Sequence, residues 1–129
     1  MRELISFETA KIAKQKGFDE KCTDFYENGE LISISKFIKY GYISACNSGF
    51  TETSERYSAP EQSELQRWLR QNFDVHIMIN SLKPNDNSYY RILYDFRKQD
   101  YLINRGKLMR FNTYEDALEY SLIEALSLI

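Results

Sequence analysis

A single histidine can serve as a general base or as a metal ligand near neutral pH, and His76 is the only one in this chain. It alternates out of phase with Val75, Ile77 and Ile79, which places it on the polar side of a strand, the same side as Asp74. A working site needs several convergent groups, and the spacing fixes no acid directly beside the ring, so a surface histidine is the better reading. Cys22 and Cys46 could join His76 as a nucleophile–base pair or in a metal site. Their separation fits no ligand spacing, and a structural zinc site takes about four ligands, so both read as ordinary reduced thiols. Asp19, Glu20, Asp24, Glu27 and Glu30 crowd one short stretch. Paired carboxylates can bind a divalent cation or cleave a glycosidic bond. Charge around a solvent-facing turn explains them more simply. No nucleophile elbow, phosphate-binding glycine loop, HExxH or dinucleotide fingerprint is present, and five glycines leave little room for a phosphate loop. The sequence therefore points to no catalytic residue, no bound metal and no cofactor.

The stretch with the best claim to a partner is basic. Arg97, Lys98, Arg105, Lys107 and Arg110 face only Asp100 in sequence, and Tyr89, Tyr90, Tyr94 and Tyr101 lie upstream or within. Cations beside exposed rings are what single-stranded nucleic acid uses. The competing reading is a β surface balanced by the acidic helix that follows, with Glu115, Asp116, Glu119 and Glu124, within the chain or across a dimer. A sequence pI near 5.5 favours that second reading.

These side chains must be positioned by local elements, and several announce themselves. Ser6 is a fitting N-cap for a first helix to about Lys16, with Phe7, Ala10, Ile12 and Ala13 on one face and Gly17 placed to end it. Asn28-Gly29 between the β-prone runs Cys22–Tyr26 and Glu30–Ser35 is a hairpin signal. Residues 36–58 show no period and read as a long irregular loop. In Ser58-Ala-Pro-Glu61, Ser58 is expected to cap a second helix, with Pro60 in its first turn and Glu61 completing a capping box. That helix carries Leu65, Trp68 and Leu69 on its buried face and ends near Asn72. Val75–Asn80 and Tyr89–Phe96 alternate as strands, with a turn at 83–88. Tyr101–Ile103 or Lys107–Phe111 could add another strand. Thr113 caps a last helix with Asp116 at the capping-box position, and Ala117, Leu118, Ser121, Leu122, Ala125 and Leu126 line its inner face.

The run Ser58-Ala-Pro-Glu-Gln, then Leu65-Gln-Arg-Trp-Leu-Arg70, then Asp74-Val-His-Ile77, resembles the signature of a family of small proteins from Bacteroides-group bacteria, their phages and mobile elements. Ile5–Phe18 is similar to that family's opening, and Thr113–Glu119 with Ile123–Leu126 to its end. The stretch from Phe37 to Glu55 has no counterpart. The resemblance implies provenance, a bacterial or phage gene whose product acts in the cytoplasm, and no activity that a residue of this chain would inherit.

At 129 residues with 43% hydrophobic content, the chain is expected to fold as a single domain, 1–129, with a real core. The elements imply an α+β fold, a small antiparallel sheet with two or three helices packed on it. Ten tyrosines and eight phenylalanines place many rings at the core boundary. A net charge of −2 does not point to nucleic acid or to a membrane surface, and no run is long enough to span a bilayer. The expectation is a non-catalytic accessory protein that engages an unidentified protein partner through a surface. A homodimer through the apolar end Ser127-Leu-Ile129 is a second form of that expectation. Nucleic-acid association through 89–110 is the alternative, and an enzyme is the remotest reading.

Overall fold

A computed structural model gives the architecture, and the structure describes residues 3–50, 55–81, 89–95, 100–101 and 111–129. The fold is α+β. Its contacts divide the chain into two compact units, residues 1–61 and residues 62–129.

The N-terminal unit opens with helix α1, Phe7–Gln15. The Ser6 hydroxyl accepts from the Thr9 N–H at 3.3 Å, the N-cap bond that one of the free first-turn donors requires. At the other end Gly17 takes φ +97°. There the Gly17 N–H donates to Lys14 and the Phe18 N–H to Ala13, both about 3 Å, which is the Schellman closure. Phe18 folds back into the core and is fully buried. Strands β1 (Asp24–Glu27) and β2 (Glu30–Ser33) form the hairpin, with Asn28 at φ +51° and Gly29 at φ +84° in its two-residue turn. Both residues must enter the left-handed region for such a turn, which is why Asn-Gly is suited to it.

The described residues of 36–58 carry more order than a loop. A 3-10 helix runs from Ile34 to Tyr40, a shorter one from Asn47 to Gly49, and β3 occupies Arg56–Ser58. Strand β3 pairs antiparallel with β1, giving the sheet order β2-β1-β3.

Here the expected start of the second helix needs correction. Ser58 is the last residue of β3, not an N-cap, and Pro60 and Glu61 precede the helix. The backbone of this segment is committed to extended pairing. Ser58 lies opposite Phe25, the Ala59 N–H donates to the Asp24 carbonyl, Pro60 accepts from the Ile5 N–H, and Glu61 bridges Leu4. A capping box is a local preference, and long-range strand pairing overrides it.

The C-terminal unit contains α2 (Gln62–Phe73), β4 (Val75–Ser81), β5 (Tyr89–Asp95), β6 (Asp100–Tyr101) and α3 (Tyr114–Ser127). Its strands form an antiparallel sheet in the order β4-β5-β6, with Ile77 opposite Leu93. Leu65, Trp68 and Leu69 on α2 and Ala117, Leu118, Ser121, Leu122, Ala125 and Leu126 on α3 are buried, as are Val75 and Ile77 of β4. The Trp68 ring meets Phe73 edge-on at 5.2 Å. Thr113 caps α3 by accepting from the Asp116 N–H at 3.0 Å. Gln62 ties the helices by donating to the Glu115 carbonyl and the Glu119 carboxylate, both at 3.0 Å. Among the described residues no helix is long and apolar enough to cross a membrane.

Candidate functional site

The N-terminal unit builds an open hollow of about 440 Å³. Strand β1 contributes Phe25, which is itself buried, and the first 3-10 helix contributes Ile34 and Phe37. Tyr42 and Phe50 complete the aromatic lining, and Arg56 of β3 stands at the polar side. The ring centroids of Phe37 and Phe50 lie 6.2 and 5.4 Å from that of Phe25, in tilted rather than stacked arrangement. The Lys14 ammonium sits 5.8 Å from the Phe50 ring and 5.3 Å from Tyr57, while donating to the Arg56 carbonyl at 3.0 Å.

Polar contacts between distant parts of the chain hold this hollow open. Residues 22 and 45 form an antiparallel bridge, with the Cys22 and Ala45 N–H groups donating to each other's carbonyls at 2.7 and 2.9 Å. Asn47 is buried and spans two elements. Its Nδ2 donates to the Phe18 carbonyl at 2.7 Å, and its Oδ1 accepts from the Ser58 N–H at 2.9 Å. Sequence reasoning missed Asn47. Its only local signal is membership of a polar Asn-Ser-Gly run, which marks a turn without saying what the amide will reach. Tyr26 adds a third tie, donating to the Ile5 carbonyl at 2.7 Å.

On the wall of the hollow, Cys46 is partly exposed and its sulfur lies 3.4 Å from the Ser48 hydroxyl. Asp19 accepts from the Ser48 N–H at 2.6 Å. That backbone donor, opposed by partial burial and helped by the Ser48 and Cys46 side chains, holds the Asp19 carboxyl below its ordinary value. A second recess of about 260 Å³ adjoins Lys14, Asp19 and Asn47.

The residues first considered for chemistry belong to different units. Cys22 is buried, with its sulfhydryl donating to the Glu20 carbonyl at 3.5 Å. Both cysteines are free thiols in the N-terminal unit, and His76 belongs to the C-terminal unit, where its Nε2 meets Asp74 Oδ1 at 3.0 Å. The carboxylate cluster separates into individual duties. Asp24 is buried and accepts from the Thr23 hydroxyl at 2.9 Å, Asp19 receives Ser48, and Glu27 receives both Nε and Nη2 of Arg56, at 3.0 and 2.9 Å. Among the described residues no three His, Cys, Asp or Glu groups gather to hold a metal ion. Arg97, Lys98, Arg105, Lys107 and Arg110 lie outside the described residues. The backbones of Tyr89 and Tyr101 fall in β5 and β6, where Tyr101 pairs with Tyr94.

What the hollow can do is bind. It offers ring faces and aliphatic surface with few groups able to move a proton. Exposed apolar side chains adjoin it in sequence: Ile38, Tyr40, Tyr42 and Ile43 are 62%, 66%, 58% and 75% exposed. Four such neighbours in six residues form more than the scattered apolar exposure of an ordinary surface. No protein-family model, curated protein or solved structure matches the chain.

Proposed function

We propose that this chain is a small non-catalytic interaction protein of the cytoplasm and that its N-terminal unit carries the partner surface. The observation that supports this reading is the aromatic hollow flanked by the exposed Ile38, Tyr40, Tyr42 and Ile43. Large apolar groups left in water beside a concavity are favourable only when something covers them part of the time. An origin in a phage or mobile element rests on the family resemblance alone.

The test is affinity capture from a lysate of the native host, with wild type beside an Ile38→Asp/Ile43→Asp variant. Both positions are exposed, so the variant keeps its fold by circular dichroism. We expect at least one host protein to be retained by wild type and lost by the variant. An identical retained set for the two proteins would overturn the reading. The alternative is nucleic-acid association through residues 89–110. It becomes the better reading if wild type shifts single- or double-stranded DNA or RNA in gels at low salt and an Arg105→Glu/Lys107→Glu variant does not.

A further inference from the structure

We infer that the hollow and the 3-10 helix beside it form one peptide site, and that its ligand is a short acidic segment carrying a single large apolar side chain. This deepens the proposed interaction role and rests on it.

The geometry of the 3-10 helix supplies the argument. With about three residues per turn, side chains at i and i+3 stack in rows. Ile34 and Phe37 make one row, and both line the hollow. Lys36 and Lys39 make the neighbouring row, and both are exposed. Neither lysine has an acidic partner among the described residues; Lys39 lies only over the Tyr40 ring, at 5.1 Å. No Asp or Glu occurs anywhere from Leu31 to Thr51. A chain of net charge −2 therefore carries two cations with no acidic partner among the described residues, one row around the 3-10 helix from the side chains that line the aromatic recess.

The two features ask for complementary groups on one ligand. A recess of this size accommodates a whole side chain and adjoining backbone, since ligand pockets start at roughly 300 Å³. Its rings favour Phe, Trp, Leu, Ile or Met. The lysine row favours carboxylates a few residues away and sets the direction of the segment. A nucleobase fits less well. Of the polar side chains on the wall, Arg56 already gives both Nε and Nη2 to Glu27, leaving the Tyr42 hydroxyl, Ser44 and Cys46 as the remaining polar groups there.

The experiment is selection of a randomised dodecapeptide display library on the full chain, followed by fluorescence anisotropy with the enriched peptides. Two variants report on the two halves of the site. Lys36→Glu/Lys39→Glu reverses the lysine row. Gly49→Leu obstructs the hollow, and Gly49 has an unstrained backbone where an added Cβ meets only the Cys46 sulfur, at 4.0 Å. We expect enriched peptides with one large apolar residue flanked by Asp or Glu. Their affinity should fall about tenfold in each variant and weaken as salt rises. Enrichment without acidic flanks, no enrichment, or affinities unchanged in both variants would overturn the inference. So would tighter binding to phosphatidylserine vesicles or to single-stranded oligonucleotides than to any enriched peptide. If the Ile38→Asp/Ile43→Asp variant still loses a host partner while the library yields no acidic peptide, the interaction role survives and this ligand assignment fails.

Discussion

The C-terminal unit is packed by long apolar faces, the N-terminal unit by a core of shorter elements with individual bonds between them. In the former, α2 and α3 each present a continuous apolar stripe, and Leu65, Leu69, Leu122 and Leu126 have no exposed surface at all. In the latter, strands of three or four residues cannot bury a comparable face. There side-chain-to-backbone bonds from Asn47, Tyr26 and Ser6 supplement a core of Ile5, Ala10, Ala13, Phe18 and Phe25. Packing by stripes closes a core completely, because interdigitated side chains leave few voids. Packing by discrete bonds sets distances between elements without filling the space between them, and the hollow is that space.

The largest test of this contrast is Trp68→Ala. Truncating a buried Trp costs about 3–5 kcal/mol, and the Phe73 edge contact is lost with it. The urea midpoint should fall accordingly; a midpoint equal to wild type would show that the stripe is not what holds the unit. In the N-terminal unit the corresponding lesion is polar. Asn47→Ala leaves the Ser58 N–H and the Phe18 carbonyl without their buried partner, at a cost of about 2–3 kcal/mol. Hydrogen exchange should speed at Ser58, with the α3 amides unaffected. Equal acceleration in both units would erase the distinction between them.

Smaller effects sharpen it. The Arg56–Glu27 pair is short but solvent-exposed, with side chains 45% and 30% accessible. Glu27→Gln should therefore cost no more than about 0.5 kcal/mol, which denaturation in low and high salt would check. Asp19 is the subtlest. Its carboxyl is held below its ordinary 3.8, so the folded state favours the ionised form. That contribution is complete above the unfolded value and disappears as pH falls through the lowered folded value. Because the Ser48 backbone N–H is the chief cause, Ser48→Ala should raise the Asp19 midpoint only part of the way in an NMR titration. A full return to 3.8 would assign the effect to the hydroxyl instead.

Legibility in the sequence followed the same division. The inner face of α3, the Thr113 and Ser6 caps, the Gly17 terminus and the Asn28-Gly29 turn all depend on neighbours within a few residues, and the structure places each where its local pattern puts it. Ser58-Ala-Pro-Glu61 carries an equally good local pattern, yet residues 4–5 and 24–25 claim that backbone first. The hollow was invisible for a related reason. Its walls meet through pairings such as Cys22 with Ala45 and Phe18 with Asn47, which span more than twenty residues and leave no period behind. The basic stretch Arg97–Arg110 offered the plainest compositional signal for a partner, and composition alone carries no information about which groups converge.

The hairpin turn has a chemical lifetime as well as a conformation. Asn28 and Gly29 are both exposed, and Gly29 has no Cβ to shield its backbone nitrogen. That nitrogen can attack the Asn28 side-chain carbonyl, expelling ammonia and closing a succinimide that water reopens mainly to isoaspartate. The product has an added methylene in the main chain, inside a loop whose two residues set the register of Phe25 against Ile32. Ageing at mildly alkaline pH should thus loosen β1–β2 pairing in proportion to the isoaspartate found by peptide mapping, and the loss should begin at Asn28 while Asn47, buried and bonded at both ends of its amide, stays intact.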